Sequence, residues 1–163
     1  IKAQALFNRV LAVDPYIPAE RFTQLNAISC DLSRLLAEAD VLSLHCNLTE
    51  ETRGLLGPDA FKKMTRQPIL INTARGPLVD PEALLQALQK QTLHSAGLDV
   101  YPEEPPGEDL LPLLKHPRVI ATGHYAWYST RSSVALQKRA ALNLLGLLSG
   151  KPVDDELTSL LSR

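Results

Sequence analysis

Five short aliphatic runs recur along the chain with longer helical patterns between them: "RVLAVD" (9–14), "VLSLH" (41–45), "PILINT" (68–73), "SAGLDV" (95–100) and "RVIAT" (118–122). Their length and β-branched content are those of strands. Strands that alternate with helices cannot be joined by tight hairpins, so the order predicts an α/β fold. Its sheet is mostly parallel, with helices on both faces. Strands of such a sheet are expected to be buried on both sides, which accounts for the absence of strict polar alternation.

Helix boundaries are signalled locally. Asp31 is placed to cap "DLSRLLAEA", "GPDAFKKM" reads as a short helix, and Asp80-Pro81 caps and begins "PEALLQALQKQ". A last helical pattern over 129–149 carries Val134, Leu136, Ala140, Leu144, Leu145 and Leu148 and stops at Gly150. It can cover the sheet or reach to another domain. The opening "IKAQALFNR" reads as the inside of a helix, so upstream sequence is expected. The proline- and acid-rich segment 102–112 reads as an ordered, irregular loop.

Composition removes several classes of function. The formal net charge is −1 and no dense Lys/Arg patch occurs, so direct nucleic-acid binding is not expected. No apolar run approaches a membrane span, and no basic amphipathic segment suggests attachment to a membrane surface. Cys30 and Cys46 have no metal-like spacing, and His94 and His116 read as surface or capping residues, so no metal site is expected. The chain reads as soluble and cytoplasmic.

Ligands of open parallel sheets bind beyond the carboxyl ends of the strands, which directs attention to four places. Asp14 ends "RVLAVD", where a carboxylate can accept both ribose hydroxyls of a dinucleotide or merely cap a turn. No G-x-G-x-x-G turn precedes it, so the usual pyrophosphate cradle is missing from the sequence. After "PILINT", the backbone at Thr73 and Ala74 can face a cofactor, and Arg75 precedes Gly76, which permits a close turn. A guanidinium suits a planar carboxylate, although an exposed or locally paired arginine is the plainer reading.

The third place is "LDVYPEEPP", with Asp99 at a strand end and Glu103 and Glu104 between prolines. The fourth is "ATGHYAW", where His124 follows a strand. A carboxylate on one ring nitrogen would fix its tautomer and leave the other to act as an acid, and Glu104 is the candidate. Singly, these residues also fit a solvated loop and a structural histidine; Arg75, Glu104 and His124 together favour catalysis. His45 lines a cofactor cleft or is a satisfied structural histidine. Tyr101, Tyr125, Trp127 and Tyr128 wall a pocket or pack in a core or interface.

Taken in order, "VLAVDPYI", "VLSLHCNLTEETRGLL", "ILINTARGPLVDPEALLQAL", "GLDVYPEEPP" and "GHYAWYS" resemble the NAD-dependent D-isomer-specific 2-hydroxyacid dehydrogenase family from about Arg9 to Asp154. The resemblance implies a Rossmann-like fold, NAD as cofactor, and reversible hydride transfer between NADH and C2 of a 2-keto acid. In that family's pattern Arg75 looks like the substrate-carboxylate arginine, His124 like the proton donor or acceptor, and Glu104 like its orienting carboxylate. Asp14 looks like the ribose-binding acid and Asp99 like the residue near the nicotinamide carboxamide. Thr73, Ala74 and His45, with Arg75 and His124, line the cofactor side. Homodimerisation through the nucleotide domain is also implied.

Three departures accompany the resemblance. Gly123 stands where proline usually precedes the histidine, and Asn47 follows His45 where proline is common. The family's substrate domain and the glycine-rich start of its nucleotide domain are absent. Residues 1–150 are therefore expected to form a partial dinucleotide-binding domain, incomplete at its N-terminus, with 151–163 as a C-terminal tail. Such a piece is expected to be inactive alone. The "HYAWYS" stretch is also similar to C-terminal-binding-type corepressors, which keeps a dinucleotide-dependent protein-binding role as the alternative.

Overall fold

A computed structural model describes residues 3–151. The chain divides into two compact units, one ending at His124 and one beginning at Tyr125. The expected tail after Lys151 lies outside the described residues.

The first unit holds the strands β1 (Leu11–Ala12), β2 (Ile28–Ser29), β3 (Val41–Leu44), β4 (Ile69–Asn72), β5 (Ser95–Leu98) and β6 (Val119–Ala121). Every pairing is parallel, in the order β1-β2 and β3-β4-β5-β6. The α/β class is as the alternation predicts, but the pairing falls into two sheets rather than one. Between the strands run α1 (Ala19–Gln24), α2 (Leu32–Glu38), α3 (Pro58–Lys62), α4 (Pro81–Gln89) and α5 (Leu111–Leu114).

Register sets the core. Leu42, Leu70 and Ala96 lie side by side across β3, β4 and β5, and so do Leu44, Asn72 and Leu98. These six are buried, as are Leu36, Phe61, Leu84, Leu88 and Leu113 from the helices and Leu93 from the turn after α4. The opposite face differs from expectation: Val41 and Ser43 are exposed, while Ile69, Ile71, Ser95 and Gly97 are only half-buried. Burial on both faces is therefore not what β3, β4 and β5 show among the described residues. Their missing polar alternation comes from aliphatic residues on a face that is only partly covered.

The capping signals are realised. Asp31 accepts the Arg34 N–H at 2.7 Å at the start of α2. Asp80 accepts the N–H groups of Glu82 and Ala83 at 2.9 and 3.0 Å at the start of α4. Each side chain satisfies donors that the first helical turn leaves unpaired. The proline-rich segment is irregular as expected through a cis Glu104–Pro105 bond, then tightens into a 3-10 turn at Glu108–Leu110 before α5.

The second unit begins with Tyr125, Trp127 and Tyr128, all exposed, so of the four aromatic residues singled out from sequence Tyr101 packs in a core and these three do not. The Trp127 and Tyr128 rings meet edge to face with centroids 5.5 Å apart. Then α6 (Thr130–Leu148) starts at a reciprocal cap between Ser129 and Ser132. Gly150 follows its end at φ +64°, in the left-handed region that glycine enters without penalty. No residue of α6 is buried, and Val134, Leu136, Leu144, Leu145 and Leu148 are exposed.

Candidate active site

The carboxyl ends of β4, β5 and β6 bring together three loops. Parallel pairing sets them next to one another, since Asn72 is opposite Leu98 and Leu98 opposite Ala121. The residues just beyond these positions are Thr73 to Arg75, Asp99 to Glu104, and Thr122 to His124.

The β4 loop is shaped by Asn72, whose buried side chain works in both directions. Its Oδ1 accepts the Ala74 N–H and its Nδ2 donates to the Arg75 carbonyl, both at 3.0 Å. The backbone N–H of Asp99 donates to the Asn72 carbonyl, also at 3.0 Å, which ties this loop to the next. Arg75 is exposed, and its Nη1 donates to the Ala74 carbonyl at 2.6 Å. It makes no ion pair among the described residues, so the reading as a locally paired arginine is not what the geometry shows. A carboxylate ligand would meet a guanidinium with donors to spare.

Gly76 is required for a reason other than the turn expected from sequence. Its φ is not in the left-handed region; instead an added Cβ would lie 2.0 Å from the Tyr101 carbonyl carbon and 2.2 Å from its oxygen. Only a residue without a side chain lets these two backbones touch.

Beyond β5, Asp99 is buried and its Oδ1 accepts the Thr122 hydroxyl at 2.5 Å. Tyr101 is also buried. Its hydroxyl donates toward the carbonyls of Thr122 at 2.7 Å and Leu98 at 3.2 Å. Burial first, then the nearby Asp99 charge, pushes the Tyr101 phenol above its ordinary value, which keeps the hydrogen on the oxygen. Its backbone N–H donates to Glu104 Oε1 at 3.1 Å.

The other Glu104 oxygen, Oε2, lies 2.7 Å from His124 Nδ1. The hydrogen bond from His124, followed by that from the Tyr101 N–H, holds the Glu104 carboxyl below its ordinary value. An ionised carboxylate only accepts, so the proton between the two groups belongs to Nδ1. Nε2 is then left for a reacting partner. His124 itself has φ +63°, an uncommon conformation for a residue with a side chain, and the sort of local strain that clusters at functional sites.

Asp14 and His45 stand apart from this group. Asp14, two residues beyond β1, is half-buried and its Oδ1 accepts the Tyr16 N–H at 2.9 Å. His45, just past β3, is exposed, with Nε2 2.8 Å from the Ser43 hydroxyl oxygen. Neither hydrogen-bonds to Arg75, Glu104 or His124 among the described residues. The donor set nevertheless fits parts of a dinucleotide: a carboxylate for ribose hydroxyls at Asp14, and the β4 and β5 termini for the nicotinamide end. The eight glycines include no G-x-G-x-x-G cradle for the pyrophosphate.

The sequence marks Arg75, Glu104 and His124 as candidates but not the bonds that arrange their loops. Asn72 reads from sequence as a strand end whose backbone, like that of Thr73 and Ala74, could face a cofactor; the burial of its side chain in a carbonyl-and-amide bridge has no local signature. Thr122, two residues before His124, reads from sequence only as a strand end. Among the described residues no group of three or more His, Cys, Asp or Glu side chains could hold a metal, and Cys30 and Cys46 are both free thiols.

Known proteins resemble the chain along most of its length. Glycerate dehydrogenase of Methylorubrum extorquens is 40% identical over 152 residues, 93% of this chain and 46% of that protein. Glyoxylate/hydroxypyruvate reductase B of Escherichia fergusonii is 47% identical over 133 residues, 80% of this chain and 39% of that protein. Among solved structures, D-lactate dehydrogenase with NAD+ from Lactobacillus jensenii superposes with a TM-score of 0.81 at 31% identity, covering 90% of this chain and 47% of that one. The chain thus spans less than half the length of these relatives. The fold is the Rossmann-like one of their NAD-binding domains. Because residues 1–126 match the model of the family described as "D-isomer specific 2-hydroxyacid dehydrogenase, NAD binding domain", the chain belongs to that family.

Proposed function

We propose that this chain supplies the nucleotide-binding and acid–base half of an NAD-dependent oxidoreductase that interconverts 2-keto acids and D-2-hydroxy acids. The observation that carries the reading is the Glu104–His124 pair, 2.7 Å apart, at strand ends that neighbour the one leading to Arg75, an arginine with no acidic partner among the described residues. Bound NADH supplies the hydride for C2 of the keto acid. Arg75 holds the substrate carboxylate with two parallel N–H donors and orients the carbonyl. His124, with Nδ1 turned to Glu104, gives the Nε2 proton to the oxygen that becomes the hydroxyl. In the reverse direction neutral Nε2 takes that proton back. Glu104 stabilises the charged imidazole and keeps the ring oriented.

Asp14 accepts the adenosine ribose hydroxyls and disfavours a 2′-phosphate, which is the basis for NAD over NADP. Thr73, Ala74, Asp99 and His45 line the cofactor side, with Asp99 toward the carboxamide. The relatives named glycerate dehydrogenase and glyoxylate/hydroxypyruvate reductase B support a small 2-keto or 2-hydroxy acid as the substrate class. The two free thiols support a cytoplasmic setting. A homodimer is the assembly we infer from family membership.

NADH oxidation by the complete protein against glyoxylate, hydroxypyruvate, pyruvate and phenylpyruvate tests the reading, with Arg75→Lys as control. Turnover is expected on at least one of these acids. In the variant, KM rises and kcat/KM falls by about 10-fold or more, because an ammonium cannot reproduce the paired donors. Unchanged kinetics in the variant reject the clamp. Tight NADH binding with no turnover on any acid rejects the dehydrogenase.

A further inference from the structure

We propose that Tyr101 is the positioning residue that registers the arginine loop with the histidine–glutamate pair. The inference rests on the catalytic reading of Arg75, Glu104 and His124 and goes beyond it by naming the group that sets their mutual geometry. Tyr101 touches all three loops. Its backbone lies against Gly76, directly after Arg75, where an added Cβ would sit 2.0 Å from its carbonyl carbon. Its N–H binds Glu104 Oε1 at 3.1 Å. Its hydroxyl reaches the Thr122 carbonyl at 2.7 Å across 21 residues of sequence, two residues before His124.

The hydroxyl contact has a specific task. His124 sits at φ +63° behind Gly123, so the backbone leading to it is locally permissive and its conformation must be imposed from outside. Thr122 is the last fixed point before that turn. Its N–H donates to the Leu98 carbonyl at 2.9 Å, its side chain is held by Asp99 and its carbonyl by Tyr101. Phenylalanine at position 101 would preserve the buried ring, the Gly76 contact and the N–H to Glu104. It would remove only the hydroxyl, leaving one side of the histidine turn unanchored.

The readout is the tautomer of His124, which requires neither substrate nor cofactor. In 15N-histidine spectra of the complete protein, recorded where imidazoles are neutral, wild-type His124 is expected to carry its proton on Nδ1. In Tyr101→Phe the population moves toward Nε2, while the signals of His45, His94 and His116 stay in place and report an intact fold. Incorporation of 3-fluorotyrosine at position 101, which keeps the hydroxyl, is expected to retain the wild-type tautomer. In turnover, Tyr101→Phe lowers kcat about 10-fold, with the KM for NADH unchanged. A His124 tautomer and kcat both unchanged in Tyr101→Phe overturn the proposal, as does loss of the Nδ1 proton in the fluorotyrosine protein. Failure of the catalytic reading looks different: His124→Gln would keep full turnover whatever the tautomer at position 124.

Discussion

Glu104 Oε2 and His124 Nδ1 are 2.7 Å apart although 20 residues separate them in sequence. The pair forms because β5 and β6 are parallel neighbours whose carboxyl ends open on the same side. A neutral amide at 104 keeps the shape but loses the charge that stabilises the imidazolium. In the complete protein, Glu104→Gln is expected to lower kcat for keto-acid reduction by about 100-fold, within the range associated with positioned acid–base groups. The steady-state rate at saturating NADH measures it.

The same carboxylate has a predictable response to acid. Its folded value lies below the ordinary glutamate range, chiefly through His124 and then through the Tyr101 N–H. A depressed carboxyl contributes stability that is fully present above its unfolded value and is lost as pH falls through the folded value. The His124 loop should therefore stay ordered through the normal glutamate titration range and loosen only at more acidic pH. A 13C carboxyl titration of Glu104 with a midpoint at or above that of free glutamate would contradict this.

Gly76→Ala places a methyl group inside the Tyr101 backbone, 2.0 Å from its carbonyl carbon. No rotamer relieves a clash with main chain, so the β4 and β5 loops must separate. A loss of about 1–3 kcal/mol of stability is expected from overpacking alone, read as a lower denaturant midpoint.

Asn72→Ala removes a buried bridge rather than a contact with ligand. The Ala74 N–H and the Arg75 carbonyl lose their 3.0 Å partners together. The expected cost is about 1–3 kcal/mol for groups left unsatisfied. Because the same loop carries Arg75, the KM for a keto acid should also rise, whereas a purely structural defect would lower the melting temperature alone.

Asp80→Ala separates stability from function. The carboxylate caps α4 by accepting two N–H groups, at 2.9 and 3.0 Å, and bonds to none of Arg75, Glu104 and His124 among the described residues. Calorimetry should show a loss of about 1 kcal/mol with kcat unchanged.

Features written in neighbouring residues were legible from the sequence. Asp31 and Asp80 cap helices within three residues of themselves, and the strand at "ILIN" is a local aliphatic run. The strand at Ile28–Ser29 is two residues long and offers no pattern, so it was missed and the two-sheet pairing with it. Arg75, Glu104 and His124 stand out in the sequence as candidate residues after strand ends, and motif resemblance joins them. The bonds that fix them were not legible: Tyr101 to Thr122 spans 21 residues and Thr122 to Asp99 spans 23. The left-handed backbone at His124 has no local signature in the sequence either. Gly123 attracted notice as a replacement for proline, whereas the left-handed residue is His124.

That left-handed histidine sets stability and activity against each other. At φ +63° the backbone favours glycine, so the side chain proposed to supply the proton occupies a conformation its own Cβ opposes. His124→Gly should therefore fold with little penalty while leaving an imidazole-sized opening beside Glu104. Free imidazole added to that variant is a candidate for restoring turnover, which would separate the chemistry of the ring from the chain that normally tethers it.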